Sequence, residues 1–207
     1  MHLKPDDAFA QKCVSINRAL CEAGAPLVDL SNASEPHVTL YMTHFKAHAC
    51  DADGPLVDAV VNLSKANLPL EVTVTGCSVR GRYLFLDVEM SNELRTLHEE
   101  LVKATVDLVS REDIKMPIFV HGLPEPLRTQ KTEAFDRWGS PNAMSQFGDP
   151  HFTLAVANEA DGSSFWQILE DSTKDLLNTI CTFTNIGIGK VGPWGSVMRG
   201  SGLAVTA

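Results

Sequence analysis

The chain has 207 residues, 44% of them apolar and 21% charged, with a formal net charge of −9 at pH 7. That composition is globular. It holds no apolar run of membrane-spanning length, and the surplus of acid excludes a broad basic face for gripping long nucleic acid. The start, Met1-His2-Leu3-Lys4-Pro5-Asp6-Asp7, lacks the basic-then-apolar order of a secretory signal. The 5 cysteines are scattered without paired spacing, so the expectation is reduced thiols and a cytoplasmic setting.

In chain order, Phe9, Cys13, Ile16 and Leu20 fall at helical spacing. Asp6 and Asp7 favour the start and Gly24 the stop, which predicts a helix over 6–23. Pro26–Leu30 reads as a short strand and Ser31–Ser34 as a turn. A strand over 36–42 follows. His44 and His48 lie four apart with Cys50 near them, a spacing that raises zinc. No second ligand cluster accompanies them and no Glu stands beside His44, so a solvated connection is the better reading.

Pro55 opens a helix to about Asn67, with Leu56, Val60 and Leu63 inward. Residues 69–75 and 83–90 alternate as two half-buried strands, separated by the stretch Gly76 to Gly81. Ser91 caps a helix to about Val109, on which His98 reads as a surface or boundary residue. Residues 116–120 read as a strand. The segment 121–150 is rich in Gly, Pro and polar residues. It forms a cleft wall with a short helix near 132–138 and a solvated set of cations, Arg128, Lys131 and Arg137. A strand over 151–157, a helix from the capping-box spacing of Ser164 and Gln167 to about Asn178, a strand over 179–186 and a glycine-rich hairpin over 187–195 complete the chain. That last stretch has neither phosphate-loop nor dinucleotide-loop context.

One hexapeptide occurs twice: Glu35-Pro36-His37-Val38-Thr39-Leu40 and Asp149-Pro150-His151-Phe152-Thr153-Leu154. Side chains alternate along a strand. His37 and Thr39 therefore share one face, with Val38 and Leu40 turned to the core, and His151 and Thr153 repeat this against Phe152 and Leu154. Both halves run motif strand, loop, helix, strand, then a glycine pair, Gly76 and Gly81 in one and Gly187 and Gly192 in the other. Such internal similarity predicts two related lobes. The expected fold is α+β: one domain of two pseudo-symmetric lobes, about 25–110 and 120–207, each an antiparallel sheet with flanking helices, around a central cleft, with room for the lobes to exchange strands.

The two Pro-His-x-Thr-Leu strands resemble the two-histidine phosphoesterase superfamily. It includes 2′-5′ RNA ligase-like proteins, RNA and ADP-ribose cyclic phosphodiesterases and the central domain of a kinase-anchoring protein. The resemblance covers most of the chain in order of elements and is specific in sequence only at 37–40 and 151–154. It implies His37 and His151 as catalytic histidines, and Thr39 and Thr153 as phosphate-contacting hydroxyls. This chain departs from the family pattern by beginning with an amphipathic helix where many members begin with an apolar strand.

Opening a cyclic phosphodiester needs one group to take a proton and another to give one, and imidazoles titrating near pH 6.5 suit both tasks. Hydroxyls donating to the non-bridging oxygens meet the growing negative charge. No metal or other cofactor is then required. The expected substrate is a small nucleotide or an RNA end. Tyr41, Tyr83 and Trp194 are candidate base-stacking residues, and Lys190 and Arg199 candidate cations. The alternatives are a non-catalytic relative that binds the same ligands, and a zinc hydrolase using His44, His48 and Cys50.

Overall fold

The computed structural model describes residues 1–200 and the backbone of Leu203–Thr206. Seven strands are described: β1 (His2–Pro5), β2 (Val38–Thr39), β3 (Leu70–Arg80), β4 (Tyr83–Val88), β5 (His151–Val156), β6 (Ile180–Ile188) and β7 (Leu203–Thr206). Between them run α1 (Asp7–Glu22), α2 (Pro55–Asn67), α3 (Asn92–Thr105), α4 (Ile118–His121), α5 (Leu127–Trp138) and α6 (Trp166–Thr173), with short 3-10 turns.

The helices start where local chemistry supplies acceptors for free N–H groups. The Asp6 carboxylate accepts from the Phe9 N–H at 2.8 Å to open α1, and the Ser91 hydroxyl accepts from the Leu94 N–H at 3.1 Å to open α3. Pro55 stands in the first turn of α2, where its missing N–H costs nothing. Phe9, Cys13, Ile16 and Leu20 are buried along α1, and Leu94, Leu97 and Leu101 along α3. They belong to one hydrophobic cluster that also takes Val38, Leu86, Phe152 and Phe183 from the strands.

The strands form an antiparallel sheet in the order β1-β2-β5-β4-β3-β6, and β6 pairs back onto β1 so that the ring of six closes. β7 adds to the far half of β6. Gly81, at φ 58°, makes the tight turn between β3 and β4, a backbone region that favours a residue without Cβ. The antiparallel sheet with helices agrees with the expected class. Two pseudo-symmetric lobes are not shown: hydrogen bonding runs unbroken from β1 through β2 to β5, joining strands expected in separate sheets.

Several local expectations differ from the structure. The chain begins with a strand, β1, whose alternation of His2 and Lys4 against Leu3 is short but clear once paired to β2 and β6. Residues 26–30 are not a strand. Apart from a single bridge between Pro26 and Val156 they are loop, tied down by the buried Asn17 amide, which donates to the carbonyls of Val28 and Leu154 at 2.8 Å each. Residues 116–120 are not a strand either, because Pro117 cannot donate to a ladder and instead introduces α4. The last helix, expected to reach Asn178, ends at Thr173, where a 3-10 turn takes over.

Candidate active site

Val38 of β2 stands opposite Phe152 of β5. Continued by one residue each way, this antiparallel register sets Thr39 opposite His151 and His37 opposite Thr153. Directly opposed side chains sit about 4.5–5.5 Å apart at Cβ and share a face. The two motifs, remote in sequence, thus form one square with the histidines on a diagonal.

Neighbouring strands extend the square into two rows. His2 pairs with Thr39, and Asp87 with His151, so one row reads His2, Thr39, His151, Asp87 across β1, β2, β5 and β4. The next contains His37, Thr153 and Phe85. Between them lies an apolar row on the opposite face, Leu3, Val38, Phe152 and Leu86, each 0% exposed. Phe9 of α1 packs on Phe152 with ring centroids 5.3 Å apart. Burial of that apolar row fixes the side of the sheet on which the polar rows emerge.

The histidines are oriented alike. His37 Nδ1 lies 2.8 Å from the Glu35 carbonyl and His151 Nδ1 lies 2.7 Å from the Asp149 carbonyl. A carbonyl only accepts, so both Nδ1 atoms carry the proton and both Nε2 atoms keep a lone pair in the neutral rings. The acid-Pro-His tripeptide therefore supplies the orienting carbonyl in each copy. The acids are paired in turn. Lys4 Nζ lies 2.6 Å from Glu35, and Arg80, which also meets Asp87 at 3.1 Å, lies 3.7 Å from Asp149. The copies differ in backbone, since Asp149 has φ 49°.

They differ more in access. Thr39, His151, Arg80 and Asp149 line a cleft of about 710 Å³ whose opposite wall comes from residues 113–148, as the composition of that segment implies. His37 is 7% exposed and lies behind the lining. Burial pushes its pKa down to about 4 against the opposing Glu35 carbonyl. Burial also lowers that of His151, with the Asp149 carbonyl opposing and the Arg80 charge adding to the fall. In both rings burial works against the charged form, and in both the carbonyl at Nδ1 works for it.

The other predicted site residues scatter. Tyr41 is buried at 1% exposure and its hydroxyl donates to the Trp138 carbonyl, so it presents no stacking face. Tyr83 is half-buried and stacks parallel on Phe85 at 5.8 Å. Trp194 is exposed under the Arg82 guanidinium, 5.0 Å from its ring, and Lys190 is exposed; neither lines the cleft. Arg199 donates to the carbonyls of Leu30 and Ser34 at 2.8 and 3.2 Å, clamping the loop before the motif. His44 lines the cleft, His48 and Cys50 stand exposed on a 3-10 turn, and among the described residues no three His, Cys, Asp or Glu side chains gather into a metal-binding group.

Sequence reasoning missed four contributors. Phe85 lies against His151 with ring centroids 4.0 Å apart. Asp87 and His2 close the row at either end. Lys131, counted among solvated cations, lines the cleft with its ammonium bound to Asn142 Oδ1 at 2.8 Å and the Gln146 carbonyl at 3.0 Å. The alternation of Tyr83, Phe85 and Asp87 was a usable signal for two of them. No protein-family description and no curated protein matches this chain.

Proposed function

We propose that the protein is a metal-independent phosphodiesterase that hydrolyses a cyclic phosphodiester or a 2′-5′ linkage in a nucleotide or at an RNA end. The observation that carries this is the diagonal square of His37, Thr39, His151 and Thr153, with both Nδ1 atoms tied to carbonyls and both Nε2 atoms left for proton transfer. The two-lobe relation, about 25–110 and 120–207, belongs to the same reading, with β4 of the first half exchanged onto β5 of the second.

In this reaction a bound phosphate monoanion offsets the cost of a charged imidazole and raises the pKa of the ring beside it. His151, open and flanked by Asp87 and Asp149, takes that proton and delivers it to the leaving ester oxygen. His37, buried and neutral, accepts the proton of the attacking water. Thr39 and Thr153 donate to the non-bridging oxygens, on which charge accumulates as the ester opens. Phosphorus gains the water oxygen and loses the ester oxygen, so protons and charge balance without a metal.

The seclusion of His37 favours one second reading, a relative that holds a phosphate ester without turning it over. Assay of 2′,3′-cyclic nucleotides, ADP-ribose cyclic phosphate and 2′-5′ oligoadenylate, with calorimetry on the same ligands, separates the two. Turnover lost in both His37→Ala and His151→Ala supports catalysis; tight binding with no turnover of any of them supports the second reading.

A further inference from the structure

Each motif imidazole is backed by a second ring from the strand outside it. Beside His151 the ring is Phe85. Beside His37 it is His2, with centroids 5.4 Å apart and planes at 74°. A local two-fold axis through the Val38–Phe152 pairing exchanges β2 with β5 and Thr39 with Thr153. It therefore exchanges the residue opposite Thr39, which is His2, with the residue opposite Thr153, which is Phe85. His2 occupies an aromatic position.

The Nε2 atom of His2 is not used in that position. The ring is 2% exposed and Nε2 has no hydrogen-bond partner, an arrangement that costs stability for a buried polar group. Its surroundings are cut to the ring's shape. A Cβ at Gly187, the residue opposite it on β6, would collide with Nε2, and one at Gly189 would lie 3.0 Å from Cε1. The Gly187 of the repeated glycine pattern is thus spent on admitting this imidazole.

We propose that His2 is a positioning residue: its ring acts as an aromatic wedge that sets the plane of His37, as Phe85 does for His151, and keeps bulk water off the β1 side of the His37 ring while leaving its Nε2 free to meet the attacking water. The inference rests on the proposed catalytic role of His37. His37 faces the Met1 amino group, His151 and Glu35, and His2 faces His37, the Met1 amino group and Lys4. Burial, with the Lys4 charge adding to it, keeps His2 neutral, its pKa pushed down to about 2.

The test is an NMR titration of the His37 ring, assigned with His37→Ala, in the wild type, His2→Phe and His2→Ala, alongside kcat and KM for the best cyclic substrate. His2→Phe, copied from the equivalent position, should keep the depressed titration of His37 and wild-type turnover within about 3-fold. His2→Ala admits water, and should raise the His37 midpoint by about 1 pH unit or more towards its ordinary value, move the acid limb of the kcat profile with it, and lower kcat about 10-fold at nearly constant KM. A loss of that size in His2→Phe, or an unchanged His37 titration in folded His2→Ala, would overturn the proposal. If His2→Ala fails to fold, His2→Leu takes its place, as apolar filling without a ring. If no cyclic substrate is turned over by the wild type, the catalytic reading fails while the titration still decides whether His2 shields His37.

Discussion

Val38 of β2 lies directly opposite Phe152 of β5, and this pairing brings both His-x-Thr motifs onto one polar surface. A slip of one residue would turn one motif towards the helices and bury its imidazole and hydroxyl without partners. Val38 and Phe152 are both 0% exposed, so the hydrophobic effect holds the register that the proposed chemistry needs.

Replacing either histidine by alanine should lower kcat by about 10²–10⁴-fold, the range for loss of a general acid or base. The consequences for folding should differ. His151 is half-buried at the cleft, so its loss should change urea unfolding less than that of His37, whereas His37→Ala opens a hole beside His2 and should be measurably less stable. Retention of turnover in either folded variant would remove the acid–base assignment.

Thr39→Val and Thr153→Val keep the branched shape and delete only the hydroxyl. If the hydroxyls meet charge that develops in the transition state, each should lower kcat by about 10²-fold with little change in KM. Steady-state kinetics on one cyclic substrate suffices. A pure rise in KM would instead assign the hydroxyls to ground-state binding.

Lys131 is the half-buried cation of the cleft wall, held by two neutral acceptors, and its pKa is lowered by burial with the Asp149 charge opposing. Lys131→Met keeps the aliphatic stem and should raise KM for anionic ligands about 10-fold while kcat changes less. Product-inhibition constants for nucleotide monophosphates should rise in parallel. Unchanged constants would place Lys131 outside the binding path.

His98 gives a pH-dependent stability. It is 0% exposed, its Nδ1 donates to the Leu40 carbonyl at 2.8 Å, and its Nε2 accepts from the Met144 N–H at 2.8 Å, which fixes the ring neutral. Burial pushes its pKa down to about 4. The unfolded chain takes a proton near pH 6.5 that the folded chain refuses until about pH 4, so stability falls as pH drops through that window, by about 3 kcal/mol for this group. His37 and His2 add to the same fall. His98→Gln should be less stable at pH 7, yet its urea midpoint should decline less between pH 7 and pH 5 than the wild type's. An equal or steeper decline would show that His98 does not supply the slope.

Much of this was legible in the residues themselves. Helix α1 could be read from Phe9, Cys13, Ile16 and Leu20 with the Asp6 cap, and β4 and the first half of β3 from their alternation, because these patterns depend on local geometry; β3 itself runs on to Arg80, through the stretch read as a connection. The same alternation around His37 and His151 told which side chains would share a face. Tyr41 shows where the reading stopped. Alternation placed it with His37, but the chain leaves β2 after Thr39 and its ring turns into the core beside Phe45.

His98 escaped for a similar reason: its partners Leu40 and Met144 are distant in sequence, so nothing near it announced its burial. By itself the sequence determined which residues alternate, where helices begin, and that one polar-apolar pattern is written twice. Only the tertiary structure decided that the two copies lie side by side in one closed sheet, that His151 opens to the cleft while His37 is shut behind it, and that His2 and Phe85 back them. Those outcomes depend on cross-strand register and packing between distant segments, which are set when the apolar row Leu3, Val38, Phe152 and Leu86 is buried as a unit.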